Sequence, residues 1–462
     1  MLMIVRKLRR SYCNYANRHV FRPIILLVIL MLYIIFVTTL IFYTSRFGNR
    51  IIEEHIKRVS KMTQMASRNK QESCNVINND YLFSSPPGDA CYLRQKLNKP
   101  NMPVIHSFFA DEATESVIFV GVKWLSQNWH QAAFVCVFDN GDISMSDPVV
   151  QDGRSFGYLT QFLIVVTCSM PKIYLKQSNF TLSLSVLNIT NLDEAFVDTY
   201  ENLTVCRPGI WPVKRYFLAM CTMVRNMDTF LPEWVEYHAY IGVEHFYIYD
   251  NAPYKNSTLR ETMKPYIDAG YVTVVPWPHR PSSGKTFLEI QIAHENDCIW
   301  RHKHDVDWMI KVDVDEFVQP MNPLKTKIPD YLIDDSTLET LSSIRLDNWF
   351  FGRPNRTTFS YRSDSIFERN QYRPGRPHPQ NIGRDKNILQ LKNVYYFKIH
   401  GVKLGGSARS ADPYHELRMV HYRMDNPRHR TFDLPDFRTL DTSMVQIWTE
   451  AKRHFDQILG RS

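Results

Sequence analysis

The run Asp307–Val312 (DWMIKV) passes directly into Asp313-Val-Asp-Glu-Phe317. Trp308, Met309, Ile310 and Val312 make it a buried strand that stops at two carboxylates. Upstream, short apolar runs alternate with helical spacing. Phe287–His302 reads as a long helix, Tyr271–Pro276 as a strand, and Leu259–Ala269 as a helix closed by Gly270. Before these come a strand Val243–Tyr249 (VEHFYIY) ending at Asp250-Asn251, a helix Thr229–Tyr240 stopped by Gly242, and a buried strand Arg215–Thr222. Apolar strands alternating with helices predict an α/β domain with a mostly parallel, doubly wound sheet. Ligands of such sheets lie beyond the carboxyl ends of the strands. Asp250 and the Asp313/Asp315 pair are therefore expected to face one crevice.

The pair is the sharpest chemical signal. A strand end places two carboxylates, two residues apart, on one side, where the ladder stops. Hard oxygens of this kind suit Mg²⁺ or Mn²⁺, which bridge the phosphates of a nucleotide. A bare Asp-x-Asp is frequent by chance; its weight comes from its place after a fourth strand of the βα series.

Further towards the N-terminus, residues 96–210 carry short apolar runs (Ser116–Leu125, Ala132–Phe138, Phe162–Val166, Leu182–Val186) separated by turn formers such as Asp139-Asn-Gly-Asp142. That rhythm predicts an accessory β-sandwich. Residues 44–95 are polar and read as a stem. Residues 24–43 (IILLVILMLYIIFVTTLIFY) are uncharged, and at about 1.5 Å per residue they span a hydrocarbon core of roughly 30 Å. They predict a single transmembrane helix, a signal anchor, behind a cytosolic tail of residues 1–23. Five Asn-x-Ser/Thr acceptors all follow that span (Asn179, Asn188, Asn202, Asn256, Asn355), which favours a type II, lumenal placement.

The 462-residue chain has a net charge of +8, but Arg6, Lys7, Arg9, Arg10, Arg18 and Arg22 supply six of those charges. The remainder is near neutral, which disfavours a nucleic-acid partner. Seven cysteines follow the span (74, 91, 136, 168, 206, 221 and 298), none with zinc spacing; the lumenal placement allows disulfides whose pairing stays open. Cys221 and Cys298 read as core or disulfide residues rather than nucleophiles.

The ordered set Cys221-x3-Arg225-Asn226, Glu233-Trp-Val-Glu-Tyr-His238, Gly242-Val-Glu-His-Phe-Tyr-Ile-Tyr-Asp250-Asn251, Pro276-Trp277-Pro278, Asp313-Val-Asp-Glu-Phe317, Phe351-Gly352, Lys386-x-Ile388, His400 and His421-Tyr422-Arg423 resembles glycosyltransferase family 92 over residues 211–425. The resemblance implies a GT-A type nucleotide-diphospho-sugar transferase fold over residues 211–440, followed by a C-terminal helix in 441–462. It also implies an inverting, metal-dependent transfer of galactose from UDP-galactose in the Golgi membrane, forming a β-linkage. The glycan acceptor differs between branches: fucose on N-glycan cores or β-1,4-galactan. Gln390-Leu391 stands where an Arg-Pro pair is common, a departure that bears on acceptor and sugar.

In that reading Asp313 and Asp315 are the metal ligands and His400 is a candidate third, with a buried, hydrogen-bonded histidine as its competing use. Arg225, Asn226, Asp250, Lys386 and Arg423 meet the UDP-sugar donor: Asp250 at uracil or ribose, Arg225 and Asn226 at uracil or phosphate, and Lys386 and Arg423 at the diphosphate, with a solvated surface the competing place of the last two. A surface salt bridge is the competing use of Arg225, and an Asx-type turn that of Asp250. Among Glu316, Asp347, Asp364 and Glu368, the expected general base is Glu368 or Asp347, since Glu316 adjoins the metal pair. Trp277, Trp349 and Phe350 are candidate sugar-stacking rings, with core packing their commoner use. The competing function is a glycan-binding protein with an inactive transferase domain, against which the intact acid pair argues. A homodimer is admitted by analogy only.

Overall fold

The structure, a computed structural model, describes residues 96–124, 132–146, 148–151, 161–177, 179–188, 196–206, 215–252, 257–333, 340–354, 365–377, 385–422 and 437–461. The expected tail, anchor and stem lie outside these residues, as does Arg423. Among the described residues no helix is long and apolar enough to cross a membrane.

Eight strands come first: β1 (Val104–Asp111), β2 (Ser116–Trp124), β3 (Ala132–Phe138), β4 (Ile143–Ser146), β5 (Pro148–Gln151), β6 (Gln161–Ser169), β7 (Asn179–Asn188) and β8 (Phe196–Cys206). They form two antiparallel four-stranded sheets, β1-β2-β6-β5 and β4-β3-β7-β8. Inward-facing Phe108, Val117, Phe119, Phe134, Ile164 and Leu184 fill the space between them. Cys136 of β3 is disulfide-bonded to Cys168 of β6, tying one sheet to the other.

The α/β part follows. Strand β9 (Tyr216–Val224) leads to helix α1 (Leu231–Tyr240), β10 (His245–Asp250), α2 (Leu259–Asp268), β11 (Val272–Pro276), α3 (Leu288–His302) and β12 (Val306–Lys311). Pro232 opens α1, where a missing N–H costs nothing. Gly242 ends it at φ +104°, and a Cβ there would lie 2.7 Å from Pro329 Cδ, so only glycine fits. Next come β13 (Glu316–Pro320), α4 (Asp330–Ile333), β14 (Leu341–Leu346), β15 (Asn348–Phe350), α5 (Ile366–Arg369), β16 (Tyr372–Arg373), β17 (Lys386–Gln390), β18 (Val394–Lys398), β19 (Gly401–Gly405), β20 (Ser407–Ser410), β21 (Leu417–His421) and α6 (Ser443–Ile458).

The central sheet has seven strands in the order β11-β10-β9-β12-β17-β14-β20. Only β17 opposes the rest. The chain moves outward from β9 to β11, then returns to the other side of β9 with β12. In sheets that reverse in this way, ligands bind outside the carboxyl ends of the strands flanking the reversal, here β9 and β12. β13, β21 and β15 form a separate three-stranded sheet in the order β13-β21-β15.

Strand alternation divides the core. Leu218, Met220, Ile248 and Ile310 face α1, α2 and α6, packing with Trp234, Met263 and Trp448. Ala219, Cys221, Tyr247 and Met309 face α3, and beyond α3 lie Val104, Phe109, Ile118, Val120 and Leu163 of the sandwich, all in one cluster. Helix α3 is thus held between two sheets, and Cys298 on it is disulfide-bonded to Cys221 of β9. Its polar residues meet polar partners from the sandwich side. Glu289 takes Lys96 Nζ at 2.7 Å and His106 Nε2 at 3.0 Å. Asp297 accepts from Ser107 Oγ (2.5 Å), Tyr249 Oη (2.6 Å) and Arg301 (2.9 Å).

Burial works against the charge on Glu289, but the bond and charge of His106 and the bond of Lys96 outweigh it and hold the carboxyl at about 2, against an ordinary 4.5. A depressed acid stabilises the fold above its unfolded value and loses that contribution as pH falls through the folded one. Thermal midpoints should therefore drop between about pH 4.5 and 2, and the drop should flatten in Glu289→Gln. Glu289→Ala should cost about 3–5 kcal/mol in urea denaturation, because it strands buried partners.

Candidate active site

The acid run does not end a strand as its spacing suggests. β12 stops at Lys311, and Val312–Asp315 form a turn into β13, with Glu316 N–H donating to Asp313 O (3.0 Å) and Asp313 N–H to Glu316 Oε2 (2.8 Å). The two carboxylates consequently differ. Asp313 is 59% exposed, whereas Asp315 is 3% exposed and receives a bond from His421 Nε2 at 3.3 Å. The cause is strand pairing: Glu316 lies opposite His421 across β13 and β21, and Tyr422 N–H donates to Asp315 O.

Lys386, 7% exposed at the start of β17, reaches Asp313 Oδ2 at 2.7 Å and Glu316 Oε2 at 3.0 Å. It is engaged with the acid turn rather than standing clear for a diphosphate. Burial disfavours its charge, but Asp313 and Glu316 raise its pKa well above the usual lysine range. His421 behaves similarly: burial opposes protonation, yet Asp315 and Glu316 carry its pKa above the ordinary value. Burial raises that of Glu316.

His400 follows β18 in a turn beside Lys386. Its Nδ1 lies 3.1 Å from the carbonyl of Asp385, which can only accept, so Nδ1 carries the proton and Nε2 keeps its lone pair. Burial, then the charge of Lys386, lowers its pKa, so the ring is neutral near pH 7. A neutral imidazole with its second nitrogen tied to a carbonyl is the state that ligates metals.

On the next two strands from β12, the ends of β9 and β10 hold the other expected residues, about 5 and 10 Å off at ordinary strand spacing. Asn226 sits in the left-handed region at φ +55°. Asp250 forms the Asx turn weighed for it, accepting Ala252 N–H (2.9 Å) and Ser257 Oγ–H (2.5 Å). Arg280, which sequence reasoning missed, donates to Asn251 O at 3.0 Å. Burial and then the nearby charge of Arg225 lower its pKa. Two guanidiniums are thereby brought together at the strand ends.

The base candidates separate. Asp347 is buried where the chain passes from β14 to β15, flanked by Leu346, which pairs with Lys386, and Asn348, whose Nδ2 is 3.4 Å from His421 Nδ1. Glu368 caps α5, accepting Ser365 N–H at 3.0 Å while Ser365 Oγ accepts its own N–H at 3.2 Å. Asp364 lies outside the described residues. Trp277, Trp349 and Phe350 are no more than 2% exposed and pack in the interior, so they are not sugar platforms. The guanidiniums of Arg373 and Arg418 lie 4.7 and 5.3 Å from the centre of the Trp349 ring.

A mixed α/β fold with an acidic turn and basic groups at the carboxyl ends is an arrangement of the glycosyltransferase class. A sequence profile described as Glycosyltransferase family 92 matches residues 214–456, and the chain belongs to that family. Similar curated proteins are family 92 members from Ricinus communis (36% identical over 99 residues, 21% of this chain and 18% of the relative), Oryza sativa subsp. japonica (33% over 91 residues, 20% and 15%) and Arabidopsis thaliana (30% over 87 residues, 19% and 15%). The matched stretches span less than a fifth of those relatives.

Lys386→Met should leave Glu316 buried beside Asp313 without its neutralising partner. The expected cost is about 3–5 kcal/mol in urea denaturation. A variant as stable as the parent would mean that Lys386 does not hold the cluster.

Proposed function

We propose that this chain is an inverting GT-A glycosyltransferase that uses Mn²⁺ or Mg²⁺ to move galactose from UDP-galactose onto a glycan acceptor, forming a β-linkage. The observation that carries the reading is the exposed Asp313 carboxylate, with His400 close enough to feel its charge, at the reversal point of a family 92 α/β sheet. The galactosyl and UDP parts come from the resemblance. The disulfides Cys136–Cys168 and Cys221–Cys298 support an oxidising compartment such as the Golgi lumen. The uncharged run 24–43 supports type II anchoring there.

The residues fit a hard cation. Among the described residues no three acid, histidine or cysteine side chains already converge on a metal position. Cations of the Mg²⁺ class, however, keep waters and take substrate phosphates, so one or two protein carboxylates suffice. Asp313, with Asp315 behind it and His400 alongside, would hold the ion. When bound, it supplies Lewis-acid stabilisation of the departing diphosphate.

The chain's own residues do the rest. Arg225 and Arg280 attract the anionic donor to the strand ends. Asn226 and Asp250 offer polar groups for uracil or ribose. Lys386 is displaced from Asp313 or shared with the phosphates as charge develops on the leaving group. Asp347 is the base assigned to the acceptor hydroxyl, because Glu368 is committed to its helix cap. An inverting transfer needs that carboxylate on the face opposite the leaving group.

Purified full-length chain, given a panel of UDP-sugars and glycan acceptors, should release UDP only with Mn²⁺ or Mg²⁺, and fastest with UDP-galactose. Asp313→Asn should lower kcat/KM on the order of 100-fold. Metal-independent release, or no release from any donor, would refute the reading.

A further inference from the structure

Ile399 is a β-branched residue at φ +59°, a region such side chains avoid. Across it, His400 N–H donates to Lys398 O at 2.7 Å. A bond from residue i+2 to residue i around a positive φ is the rare, strained form of γ-turn. It joins β18 to β19, where Lys398 pairs with Gly401. Strain of this kind persists only where the surroundings over-determine the conformation, and it collects at functional sites.

Helix α3 supplies that constraint. Ile399 N–H donates to Glu295 Oε2 at 3.0 Å, while Gln291 Nε2 donates to the other oxygen at 3.2 Å. The adjacent Asn296 grips Phe397 twice, accepting its N–H at 2.9 Å and donating to its carbonyl at 2.8 Å. From the sheet side, Asn387 Nδ2 donates to His400 O at 3.0 Å. Glu295 is buried, and Lys311 supplies the opposing charge. The Lys311 ammonium is buried without a hydrogen-bond partner, opposite Asn387 in register and two residues before Asp313. A carboxylate is thus placed inside the molecule to hold one N–H of a strained turn, and a lysine is placed to balance it.

We propose that Glu295 is a positioning residue for His400: through Ile399 N–H it holds the γ-turn in the form that presents His400 Nε2 as a ligand. The proposal rests on the reading of His400 as part of the metal site. Glu295 itself touches neither donor nor ion.

The test titrates Mn²⁺ into full-length protein with UDP, by calorimetry. Glu295→Leu should weaken Mn²⁺ binding by about 10–100-fold, the usual range for the partners of metal ligands. Glu295→Gln keeps an oxygen for Ile399 N–H and should recover most of the affinity. Glycine adopts positive φ freely, so Ile399→Gly added to Glu295→Leu should also recover it, which a purely structural role for Glu295 would not allow. In a His400→Ala background Glu295→Leu should add nothing; a further loss there would overturn the proposal. If His400→Ala alone binds Mn²⁺ like the parent, the ligand reading of His400 fails, and if the parent binds no Mn²⁺ the metal-dependent function fails. Should Glu295→Leu not fold, Glu295→Asp and Glu295→Gln replace it. Asp, one methylene short, should weaken binding and Gln should not; equal affinities would overturn the proposal.

Discussion

Four strands meet because one group of charges has to be neutralised out of water. Asp315, Glu316, Lys386 and His421 are buried or nearly so, and Asp313 caps them at the surface. Taking such ions from water costs several kcal/mol each, and only close partners offset it. Lys386 must therefore stand at the head of β17 and His421 at the end of β21. Asp313 and Glu316 bind each other's main chain across the turn between β12 and β13. Removing any one of these elements would leave a charge without its counterpart. The cluster thereby links the parallel half of the sheet to the later strands and holds one carboxylate outward.

The sandwich contributes to the same site at one remove. Its sheet covers α3, so that the helix is buried on nearly every side. His106, Ser107 and Lys96 satisfy Glu289 and Asp297, which would otherwise be costly there. A helix clamped in this way is a rigid platform, and Glu295 and Asn296 on it hold the turn that carries His400. Packing and hydrogen bonds run from the sandwich through α3 to the turn between β18 and β19. The accessory sheets are part of the frame of the site.

Much of the α/β half is legible from local pattern. Strands β9 to β12 and helices α1 to α3 lie within a few residues of the runs that predict them, because apolar alternation and helical spacing are properties of neighbouring residues. The acid pair and His400 are legible as chemistry for the same reason. Strands β1, β4, β5 and β8 of the sandwich are not among the predicted runs: β4 and β5 span four residues each, and polar residues such as Ser107 and Asp198 interrupt β1 and β8. The difference between Asp313 and Asp315 was equally hidden. So were the partnership of Asp315 with His421, 106 residues away, and that of Lys386 with Asp313, 73 residues away. Glu368 shows the converse: the Ser365-x-x-Glu368 spacing is that of a capping box, which is the use the structure makes of a residue expected to be a base.

By itself, then, the amino-acid order determines the alternation of strands and helices, the acid pair that follows the fourth strand, and the membership in glycosyltransferase family 92. Those depend on spacing within single elements. Only the tertiary structure decides which carboxylate faces solvent, which cation neutralises it, and which nitrogen of His400 stays open. These follow from register between strands distant in the chain, and from the requirement that every buried charge meet an opposite one.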